Sequence, residues 1–141
     1  MLYLALGTRP DICYEVILMS QFSVNPTEEH INKALYIIKY VQGSTLNAKI
    51  IYTGVNKQGF VVYSDADWAG DRITRKSTSG YVVMLARAAI SWVSRKQKTV
   101  ALSSTEAEYI SMSDAARQIY WIQSLCSEMG IKTSPIDLCV D

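Results

Sequence analysis

The stretch VVYSDADWAG, residues 61–70, decides the fold. Its first half is branched and aromatic, as a strand requires. A strand alternates its faces, so Tyr63, Asp65 and Asp67 fall on one side and Ser64, Ala66 and Trp68 on the other. Aspartate is disfavoured within strands. An aspartate that follows an apolar run therefore marks the carboxyl end of a strand, where open sheets place their sites.

Working outward, AKIIYT (48–53) reads as a preceding strand, joined to the first through GVNKQG (54–59) as a hairpin. GYVVML (80–85) and AAISWVS (88–94) read as two more strands that turn around Ala86 and Arg87. A helix spans about Ser103 to Met129 and is closed by Gly130. SPIDLCVD (134–141) is a final strand of parallel-sheet character. Strands, a long helix and then a strand predict an α/β or α+β mixed sheet, with a right-handed crossover back onto it. Upstream, TRPDICYEVILMSQF (8–22) and NPTEEHINKALYIIKYVQG (25–43) predict two helices. In the second, Asn25 caps, Pro26 opens, Gly43 stops, and Ile31, Leu35, Ile38 and Val41 form the apolar stripe.

With 141 residues, 49% hydrophobic and 19% charged, the chain suits one domain with a real core. A net charge of +1 gives no global pull toward polyanions, so a nucleic-acid partner must meet a local basic patch. Cys13, Cys126 and Cys139 lack metal-ligand spacing and read as reduced, buried thiols of an intracellular protein. The opening MLYLALG is too short for a signal peptide, and no run approaches a membrane span, so the expectation is a soluble chain.

SSTEAEYI (103–110) begins the long helix and carries Glu106 and Glu108, which a 100° turn per residue points in different directions. The predicted apolar stripe of Met112, Ala115, Ala116, Ile119, Ile122, Cys126 and Met129 leads back to Glu108, while Glu106 shares a polar face with Ser113, Arg117 and Ser124. Ser103 followed by Glu106 is a capping box, which accounts for Glu106. Glu108 instead faces the sheet and needs a partner or a metal. If the last strand lies parallel to 61–67, then Asp65, Glu108 and Asp141 converge. Three carboxylates without a nearby His or Cys suit Mg²⁺ or Mn²⁺ and phosphoryl transfer. Sugar hydrolysis by a carboxylate pair is the weaker alternative.

VYSDADWAGD, TRKSTSGYV, AISWVSRKQ and VALSSTEAEY, in this order, closely resemble the ribonuclease H domain that ends the Pol polyprotein of copia-type LTR retrotransposons. The preceding LGTRPDICYEVILMSQFSVNPTEEHINKALYIIKYVQGS is similar to the region joining that family's reverse transcriptase to its ribonuclease H. The resemblance implies a helical connection over residues 1–46 and a ribonuclease H-like domain over 47–141, ending after its fourth core strand. It places catalytic and metal-binding acids at Asp65, Glu108 and Asp141, with two Mg²⁺ or Mn²⁺ ions in a complete site. It implies hydrolysis of RNA in an RNA–DNA hybrid, leaving a 3′-hydroxyl and a 5′-phosphate.

Arg72, Arg75, Lys76, Ser77, Thr78, Arg95, Lys96 and Lys98, interleaved with Trp68, Tyr81 and Trp92, supply the local patch for backbone phosphates. The implied partners are the hybrid and the remainder of reverse transcriptase and Pol, with no membrane and no small-molecule cofactor. The implied location is cytoplasmic, in virus-like particles, or nuclear. The family pattern continues beyond its third acid to an Asn, a His and a fourth Asp that this sequence lacks, and it carries glycines where Ala86 and Arg87 stand. Those departures keep open a non-catalytic remnant that binds nucleic acid or reverse transcriptase. An integrase- or resolvase-type nuclease of the same fold is a third reading.

Overall fold

The structure, a computed structural model, describes residues 1–53 and 59–140. The chain forms two compact units that divide between Ile51 and Tyr52.

The first unit is helical. It contains α1 (Leu2–Gly7), a 3-10 turn at Pro10–Ile12, α2 (Cys13–Ser20) and α3 (Glu28–Ser44). The sequence signals predict two helices here. α1 escapes them because it is one and a half turns long and has no side-chain cap. Ala5, Ile12, Val16 and Ile37 form a separate small core.

Three expectations for α3 are corrected. Its cap is Thr27 rather than Asn25. The Thr27 hydroxyl accepts the His30 N–H at 3.4 Å, and His30 Nδ1 accepts the Thr27 N–H at 3.1 Å. The lone histidine is thus a capping residue, and its ring stacks on Phe22 with centroids 3.9 Å apart. Gly43 lies inside α3, which runs on to Ser44. Ile31, Leu35 and Ile38 are exposed, while Ile37 and Val41 face the core. A buried arginine sets this rotation: Arg9 donates to Asp11 at 2.7 and 2.9 Å and to Ser44 at 2.7 Å, while Tyr40 donates to Asp11 at 3.0 Å. Tyr40 and Ser44 are one turn apart, so anchoring both swings Ile37 and Val41 inward.

In the second unit, β1 (Val61–Asp67), β2 (Thr78–Leu85), β3 (Ala88–Lys96) and β4 (Asp137–Val140) make one sheet in the order β3-β2-β1-β4. β1, β2 and β3 are antiparallel neighbours, and β4 runs parallel to β1 with Ser64 opposite Val140. This is a mixed α/β arrangement, with α4 (Ser104–Glu128) between β3 and β4 in the chain. The expected strand at 48–53 does not form, and residues 54–58 of its hairpin loop lie outside the described residues. Both edges of β1 are taken, by β2 and β4, which leaves 48–53 no place beside it. Tyr52 instead donates its hydroxyl to the Ala89 carbonyl at 2.8 Å.

Ala86 and Arg87 form the two-residue turn between β2 and β3 with φ of 50° and 64°. Both occupy the left-handed region that such hairpins require, at a cost of about 1 kcal/mol or more each without glycine. Val62, Tyr81 and Val83 of the sheet pack on Ala115, Ile122 and Cys126 of α4. Cys13 and Cys126 are buried as expected, but Cys139 is exposed on β4, where alternate residues point away from the core.

α4 begins at its Ser103 cap and ends before Gly130, whose φ is 71°. Its buried seam is Ala107, Ser111, Ala115, Ile122 and Cys126, whereas Ala116 and Met129 of the predicted stripe are exposed. The seam is narrower than predicted because small residues carry it. Helix and sheet close to contact only where side chains are short.

Candidate functional site

The alternation predicted for β1 is present: Val62 and Ser64 are buried under α4, while Tyr63, Asp65 and Asp67 are exposed on the other face. Glu108, half-buried in the first turns of α4, reaches back to the same strand. The Ala66 amide is donated both to Asp65 Oδ1 at 2.8 Å and to Glu108 Oε1 at 3.1 Å. One N–H therefore gathers two carboxylates that lie 43 positions apart in the chain.

Glu106 has a local capping role, but the expected capping box is not complete, because its carboxylate does not bond the N–H of Ser103 itself. Its amide donates to Ser103 Oγ at 3.1 Å, and its carboxylate accepts the Leu102 N–H at 2.6 Å, one residue before the cap. Asp67 is diverted differently. Its carboxylate lies against Gly70 and would have to swing aside for a Cβ at that position.

Ser111 is the residue that sequence reasoning missed. It is fully buried beneath β1, accepts the Ser64 hydroxyl at 2.9 Å, and shares its own proton between the carbonyls of Asp65 at 2.7 Å and Gly80 at 3.1 Å. Ser111 lies three residues after Glu108, on the same side of α4. It ties the helix to the backbone of the very residue whose carboxylate shares the Ala66 N–H with Glu108. Its only signal in the sequence is a serine spaced four from Ala107 and from Ala115. Gln97 is a second such tie: its amide donates to Ser79 Oγ at 2.8 Å and to the Ala107 carbonyl at 2.9 Å.

In kind, the donor set suits a divalent cation, because carboxylate oxygens are what Mg²⁺ and Mn²⁺ prefer. In number it is a pair: no three His, Cys, Asp or Glu side chains that could hold an ion come together among the described residues. Asp141 lies outside the described residues. It follows Val140, which is paired with Ser64, the neighbour of Asp65.

The basic candidates and their neighbours have different surroundings. Ser77 is fully buried, and its hydroxyl accepts the Ala69 N–H at 3.1 Å, so it holds the loop after β1. Tyr81 belongs to the core. Arg72 and Arg75 are exposed in the loop, with Arg75 at φ 55°. Lys96 is paired with Asp71. Arg95, Lys96 and Lys98 line a cleft against one flank of α4.

The Asp71 carboxyl is held well below the usual carboxylate range, first by the Lys96 ammonium and then by the Thr74 and Ile73 amides at 2.9 and 2.8 Å. A depressed folded-state pKa stabilises above the unfolded value of about 4 and loses that contribution as pH falls below it. Asp71→Asn is therefore expected to lower stability at neutral pH. The gap from the natural protein should narrow steadily between about pH 5 and pH 2. Urea unfolding followed by tryptophan fluorescence reads this directly, since Trp68, Trp92 and Trp121 all belong to the second unit. A gap independent of pH would remove Asp71 from the account.

Fold and site define a mixed α/β domain with a carboxylate pair at the carboxyl end of its central strand. Over 139 residues, 97% of its length, the chain is 47% identical to the retrovirus-related Pol polyprotein from transposon RE1 of Arabidopsis thaliana. It is 38% identical over 131 residues to the corresponding Pol polyprotein from transposon TNT 1-94 of Nicotiana tabacum. It is also 43% identical over 121 residues to secreted RxLR effector protein 161 of Plasmopara viticola, covering 84% of that protein. The chain belongs to the family of retrovirus-related transposon Pol sequences. It spans 9% of the RE1 polyprotein and 10% of the TNT 1-94 polyprotein. No protein-family model matches the chain, and no solved structure matches it. No helix among the described residues is long and apolar enough to cross a membrane.

Proposed function

We propose that the second unit is a ribonuclease H-like domain of a transposon Pol protein and cuts the RNA strand of RNA–DNA hybrids. The observation that carries this reading is the convergence of Asp65 and Glu108 on the Ala66 amide. Asp65, Glu108 and Asp141 would hold Mg²⁺ or Mn²⁺. Such ions supply an activated water and charge to stabilise the leaving oxygen. The chain's own part is orientation. Ser111 and Gln97 fix α4 against β1 and β2, so that the acidic pair needs little rearrangement when the phosphodiester arrives. Discrimination for the hybrid rests on backbone shape and 2′-hydroxyls rather than on base edges. The remainder of Pol is the natural partner for the helical unit.

A labelled hybrid incubated with the chain and Mg²⁺ is expected to yield fragments ending in 3′-hydroxyls, and chelation should stop the reaction. An intact hybrid after prolonged incubation with folded protein would overturn the catalytic reading. A second reading draws on Ala86 and Arg87, held at φ of 50° and 64° where the resembled family carries glycines. In it, the chain binds nucleic acid without cutting. Hybrid binding without cleavage is the outcome that selects it.

A further inference from the structure

A cleft of about 570 Å³ lies between the end of β3 and the flank of α4 that faces it, and neither Asp65 nor Glu108 lines it. Arg95, Lys96 and Lys98 line it from the β3 side, and Asp114, Arg117 and Trp121 line it from the helix. Its centre is a shared ion pair. Asp114 accepts Arg95 at 2.7 Å through one carboxylate oxygen and Arg117 through the other. Only 11% of the Asp114 side chain is exposed, against 57% and 72% for the two arginines. The acid thus acts as a fixed post, and the guanidiniums face outward. Each guanidinium has five N–H donors and meets Asp114 through a single nitrogen, so most of their donors remain directed elsewhere. Two cations on one anion leave a net positive charge with planar, oriented donors. Such an arrangement selects a second oxyanion with several acceptors, such as a phosphodiester.

Two further features favour a nucleic-acid strand over an acidic peptide. Trp121, one helical turn beyond Arg117, is 56% exposed and offers an indole face in the cleft that the two arginines line. Gln97, also lining the cleft, is the amide that bonds the carbonyl of Ala107, the residue before Glu108. Cleft and acidic pair therefore share one rigid corner of the domain. Along α4, the nine residues from Glu108 to Arg117 span about 13 Å, or about four nucleotide steps of a duplex.

We propose that this cleft is a second backbone-phosphate site. It takes a nucleic-acid strand about four nucleotides from the acidic pair, with Arg95 and Arg117 as phosphate ligands and Trp121 as a stacking face. The proposal rests on the reading that this chain engages nucleic acid, but not on cleavage, and its test is made without divalent metal for that reason.

Fluorescence anisotropy of a labelled RNA–DNA hybrid of ~12 base pairs, titrated with the full chain in chelator between about 50 and 200 mM salt, reads both affinity and salt dependence. Arg117→Gln is expected to weaken binding by roughly five- to tenfold and to flatten the salt slope by about 0.7 to 0.9, the loss of one phosphate contact. Trp121→Ala is expected to weaken binding about as much with the slope unchanged, because stacking releases no counterions. Lys132→Gln, a basic residue outside the cleft, should change affinity by less than about twofold.

Matching effects of Arg117→Gln and Lys132→Gln would overturn the proposal, as would failure of the natural chain to bind the hybrid. Equal displacement of the hybrid by a polyglutamate peptide would overturn it in favour of an acidic protein partner. If Arg117→Gln fails to fold, as judged by urea unfolding, Trp121→Ala decides alone. Binding that follows these expectations in a chain that cuts nothing with Mg²⁺ supports the cleft and sinks only the catalytic reading.

Discussion

Glu108→Gln is expected to leave the fold standing and to lower hybrid cleavage at least about a hundredfold, a loss of roughly 3 kcal/mol of transition-state stabilisation. The amide matches the carboxylate in size, and its oxygen still accepts the Ala66 N–H that Glu108 accepts at 3.1 Å. What disappears is the negative charge beside Asp65, and with it most of the attraction for a divalent cation. Mn²⁺ binding followed by paramagnetic broadening of signals near Asp65 should weaken in parallel. Cleavage equal to that of the natural chain would remove Glu108 from the mechanism. Asp65→Asn should reproduce the effect, since both carboxylates meet at the same amide.

Ser111→Leu is expected to cost about 3 kcal/mol or more and to leave the second unit largely unfolded. Two physical terms add. The position is fully buried between α4 and β1, so the larger side chain overpacks it by about 1–3 kcal/mol. Removing the hydroxyl also leaves Ser64 and the Asp65 carbonyl without a bond across a dry interface, at about 1–3 kcal/mol. Against a typical domain stability of about 5–15 kcal/mol this is a large share. Ser111→Ala separates the two terms. It removes the hydrogen bonds without the bulk and should cost about 1–2 kcal/mol. If Ser111 also positions the site, cleavage by folded Ser111→Ala falls through kcat with KM little changed. Tryptophan-monitored urea unfolding supplies the stability, and a Ser111→Leu variant as stable as the natural chain would show that the seam is not tight.

Much of the second unit is legible in its sequence, and for a local reason. Strand alternation from Val61 to Asp67, the Ser103 cap, the Gly130 stop and the Glu106 capping interaction are all set within a few residues, where spacing dictates geometry. The same reasoning fails for AKIIYT. Its composition suits a strand, but strand formation needs a free edge, and both edges of β1 are occupied by partners from distant segments. It fails again for α3, whose inward face is chosen by Arg9 gripping Asp11 and Ser44. A stripe of Ile31, Leu35 and Ile38 is apolar by composition, yet it loses to one partly buried ion pair that periodicity does not register. The Asn25 cap is likewise displaced by the Thr27–His30 pair, because reciprocal bonds satisfy two amide donors where a lone cap satisfies one.

By itself, the sequence determined which side chains are acidic, which faces of β1 they occupy, and that Glu108 points toward the sheet while Glu106 does not. These follow from period and charge alone. Only the tertiary structure decided that Asp65 and Glu108 meet at a single amide, that a buried serine holds them there, and that Arg95 and Arg117 share Asp114 in a cleft. Such meetings depend on how closely a helix settles onto a sheet. That distance is set by the small side chains of Ala107, Ser111 and Ala115 between them, a packing property of two surfaces that neither segment carries alone.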